Sequence, residues 1–515
     1  MPVTRPFLRR PPVRLLVAGL AAGAIFDALN LLLRFALGVP SLPEAMSDLL
    51  VPFVPAALFG KLLTSLGPSG KQIVIAASLL GIALGIAVSV VLYDRFRRRF
   101  GTLAATAGLL VAGWLLLSAI FWTVLGANDH GGSLLGRYSL ALADLALCAT
   151  AAAATALVLV GAGAGAARDD GTAPADPGRR GLSGGMAAAV ALLAIGGTGV
   201  VAGVRQLLKL SNLGYEGYGT PASALGPITP NPNFYVVSKN LLDPTVDAAT
   251  WQLVIDGAVD RVRTLTLADL HALPQVDSVV TLECIANGVG GALMSTARWQ
   301  GPTLVDVLAT AGIRGNPSHA ELHAVDGYYD SVRVDEMSTP GAVLALRMNS
   351  VALPDRHGYP ARVVLPGRYG EKQMKWITRI RLTNDPATGF YQRQGWSEMG
   401  TVRTWSRFDN LKDHLRLPAG RDVMVTGHAF AGTRGIDAVQ VSVDKGVSWA
   451  DAEMEAVIGR NAWRYFHWTW RDPAAGVHEL AVRARDGAGD WQEPSYEDIV
   501  PKGSSGLHRV KILVG

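Results

Sequence analysis

The chain has 515 residues, of which 49% are hydrophobic and 17% charged, and its net charge is +5. This length predicts several domains, and the composition is more apolar than that of an ordinary soluble protein. The basic residues form no long tract interleaved with aromatic side chains, so nucleic acid is not an expected partner. The only two cysteines, Cys148 and Cys284, are far apart, which excludes a disulfide framework and a CxxC zinc site.

Residues 1–208 are predicted to form a transmembrane region of about five helices in contact with membrane lipid. Its five apolar stretches, each close to the roughly 20 residues that cross a bilayer, are residues 14–37, 72–94, 103–126, 139–164 and 185–205. A further apolar segment, residues 49–67, is interrupted by two prolines and a lysine. We interpret this segment as interfacial or re-entrant, with a full span as the alternative.

Arginines between these stretches predict the orientation of the bundle. They cluster in residues 5–14, 94–100 and 167–180, whereas the segment 126–137 has one. Because Lys and Arg are retained on the cytoplasmic side, the N-terminus is expected inside the cell and the C-terminal half outside it. Arg179 and Arg180, just before the last stretch, resemble a twin-arginine export signal, although the retention of positive charge alone produces the same pair.

Few side chains in the predicted bundle suggest chemistry. Nine of the ten histidines follow residue 270, and the tenth, His130, lies in a predicted loop. The bundle is therefore not expected to bind haem, whose axial ligands are most often histidines. Asp144 lies inside the fourth stretch, where a structural hydrogen-bonding role and a functional role are both open.

Residues 209–408 have the pattern of a mixed α+β domain. Residues 251–274 predict a strand, a turn, a second strand and a short helix, and residues 361–367 and 375–382 predict strands from their β-branched content. Residues 303–312 predict a helix that ends at a glycine. After residue 409 the helical patterns stop, and short alternating segments separated by turn residues predict an all-β immunoglobulin-like sandwich over residues 409–515.

Six segments in residues 228–515 together resemble the sulfite oxidase family of molybdenum enzymes. They are FYVVSKN (234–240), WQLVIDGAV (251–259), TLECIANGVGGALMSTARWQGPTL (281–304), DGYYDS (326–331), HGYPARVVLPGRYGEKQMKWITRIRL (357–382) and GHAFAGTRGIDAVQVSVDKGVSW (427–449). The resemblance implies a sulfite-oxidase-like molybdopterin domain followed by a dimerisation domain, and hence a possible homodimer. It also implies Mo-molybdopterin as the cofactor.

Cys284 is implied by the resemblance to be the molybdenum ligand. A thiolate is a soft anionic donor that suits such a metal, whereas Cys284 taken alone would be read as a buried core cysteine. The cofactor ends in a phosphate, which requires cations and backbone donors. The implied cofactor contacts are Val236, Val237, Ser238, Lys239, Asn240, Asp326, His357, Arg362, Gln373, Met374 and Lys375. Arg368 and Lys372 are expected to add positive charge.

Three positions depart from sulfite oxidase. That enzyme surrounds its anionic substrate with arginines and a tyrosine, and the corresponding residues are Ser238, Val289 and Trp396. With this compensating charge removed, sulfite is not the expected substrate. Trp396 and Val289 predict a more apolar pocket, and Tyr328, Tyr329 and Asp330 either present polar groups there or only pack. We assign Cys284, Trp396 and Tyr328 as candidate catalytic residues.

The sequence thus predicts a membrane-anchored oxidoreductase that transfers oxygen atoms or two electrons to or from a small molecule. No cytochrome b5 unit and no CxxCH motif is present. Electrons are therefore expected to pass to or from a separate membrane or periplasmic partner. The alternative is a non-catalytic cell-envelope module that keeps the fold for binding.

Overall fold

The computed structural model describes residues 11–37, 41–50, 53–66, 70–127, 226–240 and 243–515, with residue 200 and most of residues 141–155. The predictions about His130, Asp144, Arg179 and Arg180 lie outside the described residues. So does the predicted span 185–205, apart from residue 200.

The N-terminal part is helical throughout its described stretches. Its elements are α1 (Pro11–Leu37), α2 (Leu42–Leu50), α3 (Ala56–Leu66), α4 (Gly70–Phe100) and α5 (Thr102–Ala127). Two segments, Leu15–Arg34 and Gly70–Phe100, are long and apolar enough to cross a bilayer, by length and composition alone. The predicted interfacial segment is interrupted before α3, whose 11 residues span only about 16 Å, too short to cross the hydrocarbon core.

Helices α1 and α4 pack closely through small residues. Gly19 and Gly23 lie four residues apart on α1, and a Cβ at either position would collide with Ala87 or Ala83 of α4. Small residues at this spacing let two helix backbones approach, as in membrane helix pairs. The two glycines therefore fix how the first two long helices meet.

The middle region contains two main sheets and two short helices. One sheet has the order β2-β1-β11-β5-β6, in which β1 pairs parallel to β11. Its strands are β1 (Gln252–Gly257), β2 (Arg263–Thr266), β5 (His319–Ala324), β6 (Tyr329–Arg333) and β11 (Ile377–Thr383). The helices are α6 (Leu267–Ala272), which a Thr266–Asp269 capping box begins, and α7 (Leu304–Ala309). Of these elements, β1, β2, β11, α6 and α7 agree with the sequence predictions, whereas β5 and β6 were not predicted.

The second sheet of this region presents the candidate site. Its order is β3-β4-β8-β9, formed by β3 (Val276–Glu283), β4 (Met294–Gly301), β8 (Arg347–Met348) and β9 (Val351–Ala352). A separate pair joins β7 (Val343–Ala345) to β10 (Arg362–Val364). Cys284 follows the last residue of β3, and Arg362 begins β10, so both candidate residues lie at strand ends.

The C-terminal region is β-rich, as predicted, and its two sheets share one hydrophobic core. The first sheet has the order β12-β14-β18-β17, from Trp405–Phe408, Val423–Phe430, Arg464–Trp470 and Glu453–Met454. The second has the order β13-β20-β19-β15-β16, from Leu415–Leu417, His508–Val514, Gly476–Asp486, Ile436–Ser442 and Ala450–Asp451.

Trp463 joins the C-terminal region to the strand that leads to Cys284. Its side chain is only 1% exposed and belongs to the hydrophobic cluster that contains Cys284. Its backbone N–H donates to Thr281 Oγ1 (2.9 Å), and its indole N–H donates to Pro227 O (3.0 Å). The two regions are therefore packed as one unit around β3.

Replacing this tryptophan should loosen that unit. We expect Trp463→Ala to lower the free energy of unfolding by about 3–5 kcal/mol, because a large buried side chain is lost and a cavity remains. The control Val457→Ala, in the same segment but 59% exposed, should change it little. Chemical denaturation of the full chain measures both, and equal stability of the two variants would contradict this role.

Candidate functional site

One cavity brings together nearly all the residues that the sequence predicted. It is lined by Val236, Val237, Ser238, Lys239, Cys284, Asp326, Tyr328, His357, Arg362, Gln373, Met374, Lys375 and Trp396. Asn240 is the predicted contact that does not line it. A concave pocket with convergent polar groups is the usual form of a cofactor or substrate site.

A short hydrogen-bonded turn presents Cys284 to this cavity. The Cys284 N–H donates to Leu293 O (3.0 Å), and the Asn287 N–H donates to Cys284 O (2.9 Å). The Asn287 side chain accepts from Leu293 N (3.0 Å) and donates to Glu283 Oε1 (3.0 Å). Because both polar atoms of this amide are used, the turn between β3 and β4 holds the thiol in one place.

The environment of the Cys284 thiol fits a metal ligand. Burial raises the pKa of Cys284 to about 12, and the nearby carboxyl groups of Glu371 and Glu283 add to the rise. Such a thiol stays protonated at neutral pH unless a positive metal ion stabilises the thiolate. The described residues contain no group of three or more His, Cys, Asp or Glu side chains arranged for a metal ion. The arrangement fits one protein sulfur, with the other donors supplied by an organic cofactor.

Arg362 and Lys375 are buried cations in the same cavity. The Arg362 guanidinium donates to His357 O and Gln373 O, each at 3.1 Å, while its Nε has no partner among the described residues. Lys375 Nζ donates to Arg356 O (3.1 Å). Within the described part of the chain, neither cation forms an ion pair with a carboxylate, although the charges of Asp243 and Asp326 act on Lys375. Buried positive charge that is only partly balanced is unfavourable, so this end of the cavity fits the cofactor's phosphate.

The protonation states of Lys375, Arg362 and His357 are suited to binding an anion. Burial lowers the pKa of Lys375 to about 8 and the pKa of Arg362 to about 10, so both remain protonated at neutral pH. Burial and the adjacent Arg362 charge lower the pKa of His357 to about 3, so its ring is neutral. Two cations and a neutral imidazole can together contact a phosphate through charge and N–H donors.

Asn240 supports the cavity wall through hydrogen bonds with Asp326 and Lys239. Its side-chain NH₂ donates to Asp326 Oδ2 (2.7 Å), and Lys239 Nζ donates to Asn240 Oδ1 (3.0 Å) and to Asp326 O (2.7 Å). The other Asp326 oxygen accepts from Tyr328 N (3.0 Å). This network fixes the Asp326 carboxylate at the cavity wall, which explains why Asn240 itself does not line it.

The Gln373 side chain also forms its hydrogen bonds within the protein. Its amide accepts from Leu365 N and donates to Leu365 O, both at 2.6 Å. The Gln373 side chain therefore holds the chain segment that leads to Lys375. The backbone carbonyl of Gln373 accepts a hydrogen bond from the Arg362 guanidinium.

Aromatic side chains and one carboxyl group line the cavity near Cys284. Trp396 is 5% exposed, and its indole N–H has no partner among the described residues. The Tyr328 hydroxyl donates to Glu371 O (2.9 Å), and its ring lies 5.5 Å from that of Tyr391. Burial raises the pKa of Glu371 to about 8. The hydroxyl of Tyr328 is therefore already bonded, whereas the buried Trp396 N–H has no hydrogen-bond partner in the described part of the chain.

Several sequence-based expectations about this pocket are wrong. Arg368 pairs with Glu336 (2.6 Å) and Lys372 with Asp330 (2.7 Å), so neither adds positive charge to the cavity. Val289 is half-buried but does not line the cavity.

Tyr329 also lies outside the cavity lining and stacks on His323, with 6.1 Å between ring centroids. Asp330 likewise does not line it, because its carboxylate is held by Lys372. Of the three residues between 328 and 330, only Tyr328 reaches the cavity.

Sequence reasoning missed ten residues that line the cavity. Among them are Tyr235, Arg356, Glu371 and Tyr391. Tyr235 and Glu371 lie within segments that carried the resemblance, and Arg356 directly precedes His357. Their adjacency to matched segments was the available signal, but adjacency alone does not say which side chains turn inward.

Comparison with known proteins identifies the two folded regions. Residues 240–391 match the oxidoreductase molybdopterin binding domain, and residues 410–512 match the Mo-co oxidoreductase dimerisation domain. Mitochondrial sulfite oxidase of Mus musculus is 32% identical over 47% of this chain and 52% of its own length. The Homo sapiens enzyme is 31% identical over 56% of this chain and 62% of its own length. The chain thus spans about half to three-fifths of these relatives.

A solved structure has the same fold. The sulfane dehydrogenase SoxCD from Paracoccus pantotrophus superposes with a TM-score of 0.50 at 22% identity, covering 56% of this chain and 82% of its own. The two matched domains, the relatives and a pocket that pairs a buried thiol with buried cations all agree. Residues 240–391 and 410–512 thus carry the domain pair of the sulfite oxidase family of molybdenum oxidoreductases, and this pair implies Mo-molybdopterin as the cofactor.

Proposed function

We propose that this protein is a membrane-anchored oxidoreductase that transfers an oxygen atom or two electrons at an extracytoplasmic molybdenum site. We propose further that its substrate is a neutral oxygen-bearing molecule, such as a sulfoxide, rather than sulfite. A sulfoxide reduced here would take up two electrons and two protons and leave as a thioether and water. The electrons would come from a separate membrane or periplasmic partner.

The charges around Cys284 support the substrate proposal. The acidic side chains that most affect the pKa of this thiol are Glu371 and Glu283, and burial raises the pKa of each to about 8, so both are largely uncharged at neutral pH. Neither compensates the charge of a dianion. Ser238 and Trp396 occupy positions where the resemblance expects an arginine and a tyrosine. These features support a neutral substrate.

The residues of the chain have separable roles in this proposal. The bound cofactor supplies the metal that accepts or donates the electron pair. Cys284 holds the metal, while Arg362 and Lys375 neutralise the phosphate. The Trp396 N–H can donate to a substrate oxygen, because it is buried without a partner in the described part of the chain. Tyr328 positions the Glu371 backbone through its hydroxyl and packs the cavity wall.

Helix α4 supports the extracytoplasmic location. Its first turn contacts the catalytic region, as Lys71 interacts with Asp243 and Arg356. Its last turn carries Arg97, Arg98 and Arg99, about 40 Å from Lys71 along a straight helix. Since arginines favour the cytoplasmic side, the catalytic end of α4 is assigned to the outside.

The C-terminal region supports a further assignment. Its match to a dimerisation domain and its two sheets around one core favour an immunoglobulin-like sandwich that forms a homodimer. The alternative of a non-catalytic envelope module is disfavoured by the family assignment and by the buried metal-ligand thiol.

Replacement of Cys284 should remove the metal signal without unfolding the protein. Full-length protein from a cofactor-competent host should contain molybdenum and give a Mo(V) paramagnetic resonance signal on partial reduction. Cys284→Ser should lose this signal while its thermal unfolding stays similar, because serine is nearly isosteric. Cys148→Ser is the matched control and should keep the signal. An unchanged signal in Cys284→Ser would refute the ligand assignment.

The substrate should be reduced with the help of the Trp396 N–H. With a reduced viologen as donor, we expect turnover of aryl or alkyl sulfoxides and no oxidation of sulfite. Trp396→Phe should lower kcat/KM for the sulfoxide about tenfold, the usual effect of one lost hydrogen bond to a buried acceptor. Trp405→Phe, a buried tryptophan outside the cavity lining, is the control. Efficient sulfite oxidation by the wild-type protein would contradict the proposal.

Reporter fusions should place the two ends of α4 on opposite sides of the membrane. Alkaline phosphatase fused after residue 515 should be active, because the enzyme matures only outside the cytoplasm. The same reporter fused after residue 100 should be inactive, and green fluorescent protein should show the reverse pattern. An inactive phosphatase at residue 515 in a cell that expresses the full chain would contradict the orientation.

A further inference from the structure

The loop that begins at Cys284 is held from outside by the C-terminal region. This loop, residues 284–293, joins β3 to β4. Ser504 Oγ donates to Asn287 O (2.7 Å), and Arg407 Nη1 donates to Gly291 O. Arg407 lies on β12, and Ser504 lies shortly before β20. Two backbone carbonyls of the loop are therefore bound by side chains from the β-rich C-terminal region.

His508 packs against the same loop. Gly290 has a φ of +71°, and a Cβ at this position would collide with the His508 ring. The ring is itself held, because the Phe408 N–H donates to His508 Nδ1 (3.0 Å). Glycine suits both the positive φ and the close approach. The loop and the C-terminal region therefore fit together with no room for a larger side chain.

A buried ion pair holds the Arg407 side chain that contacts the loop. Arg407 Nε donates to Asp409 Oδ1 (3.0 Å), and the two side chains are 8% and 1% exposed. The same carboxylate lies 3.0 Å from His428 Nδ1. A guanidinium is a rigid fork that can bond to two groups at once. Arg407 can thus pair with Asp409 and still donate to the Gly291 carbonyl.

Asn287 connects these contacts to the thiol. Its N–H donates to Cys284 O (2.9 Å), its side chain joins the two ends of the loop, and its carbonyl accepts from Ser504. On the other side of the cysteine, the Trp463 N–H donates to Thr281 Oγ1 (2.9 Å). The C-terminal region therefore holds the chain both before and after Cys284.

We propose that Ser504 and Arg407 are positioning residues for Cys284, through which the C-terminal region fixes the metal-ligand thiol. Neither residue lines the cavity, so both act through the backbone of the loop. Residues that orient a ligand without touching the metal determine how well it binds. This proposal rests on the role of Cys284 in the proposed function and adds the residues that fix its position. It does not depend on the substrate or on the membrane orientation.

Hydrogen exchange of the full-length protein tests the contact itself. Ser504→Ala removes one hydroxyl donor, and the amides of residues 285–291 should then exchange about tenfold faster, as expected when one buried hydrogen bond is lost. Ser505→Ala is the matched control, because Ser505 Oγ donates to Ser495 O (2.9 Å), away from the loop. Its exchange should match the wild type. Exchange in β14, in the core of the C-terminal region, should stay unchanged in both variants.

A second pair of variants tests the arginine. Arg407→Lys keeps a positive charge opposite Asp409 but lacks the fork that reaches Gly291 as well. It should also speed exchange in residues 285–291 and leave β14 unchanged. The control Arg509→Lys changes an arginine of β20 whose side chain is 41% exposed, and it should behave like the wild type. This pair keeps the proposal testable if Ser504→Ala does not fold.

The Mo(V) paramagnetic resonance spectrum tests whether the loop positions the metal ligand. Its g values depend on the geometry of the sulfur ligand, so Ser504→Ala should keep the signal but shift its g values. Ser505→Ala should give the wild-type spectrum. A role in stability alone would lower the unfolding temperature and leave the g values unchanged.

Wild-type g values in Ser504→Ala would overturn the proposal. Exchange that increases equally in β14 and in residues 285–291 would also overturn it, because the effect would then be on the whole C-terminal region. Failure of the proposed function gives a different result, since Cys284→Ser would then keep the metal signal whatever the exchange of the loop.

Discussion

The buried cations Arg362 and Lys375 place the strongest physical constraint on this structure. Each donates to backbone carbonyls, and within the described residues neither forms an ion pair with a carboxylate, although the charges of Asp243 and Asp326 act on Lys375. Such an arrangement is costly without further negative charge, since carbonyl dipoles replace only part of the lost hydration. The strand β10 and the segment around Gln373 position these two groups. The pocket is therefore suited to an anionic cofactor.

The charges at the opposite end of the pocket, around Cys284, are different. There the Cys284 thiol lies beside two carboxyl groups, and burial keeps its pKa near 12. Burial raises the pKa of both carboxyl groups to about 8, so they are largely uncharged at neutral pH. The phosphate end thus attracts negative charge, whereas the groups beside the thiol supply no positive charge. A cofactor with an anionic tail therefore suits one direction of binding, with its tail at Arg362 and Lys375.

The sequence predicted the elements and residues whose roles are local. Cys284, His357, Arg362 and Lys375 could be identified because each lies within a matched segment. Arg368 and Lys372 were assigned to the pocket wrongly, because their carboxylate partners Glu336 and Asp330 are 32 and 42 residues away in sequence. Pairings at such distances depend on how the sheets pack, which neither spacing nor composition encodes.

Two independent observations concern the orientation of the N-terminal helices. The distribution of arginines along the sequence assigns the Arg97–Arg99 end of α4 to the cytoplasm, without any reference to the catalytic region. The structure brings the other end of α4, at Lys71, to the buried carboxylate Asp243. A cytoplasmic catalytic region would require three consecutive arginines on the outer face of the membrane. Both observations support the proposed arrangement, in which the helices hold the catalytic region on the outer face of the membrane.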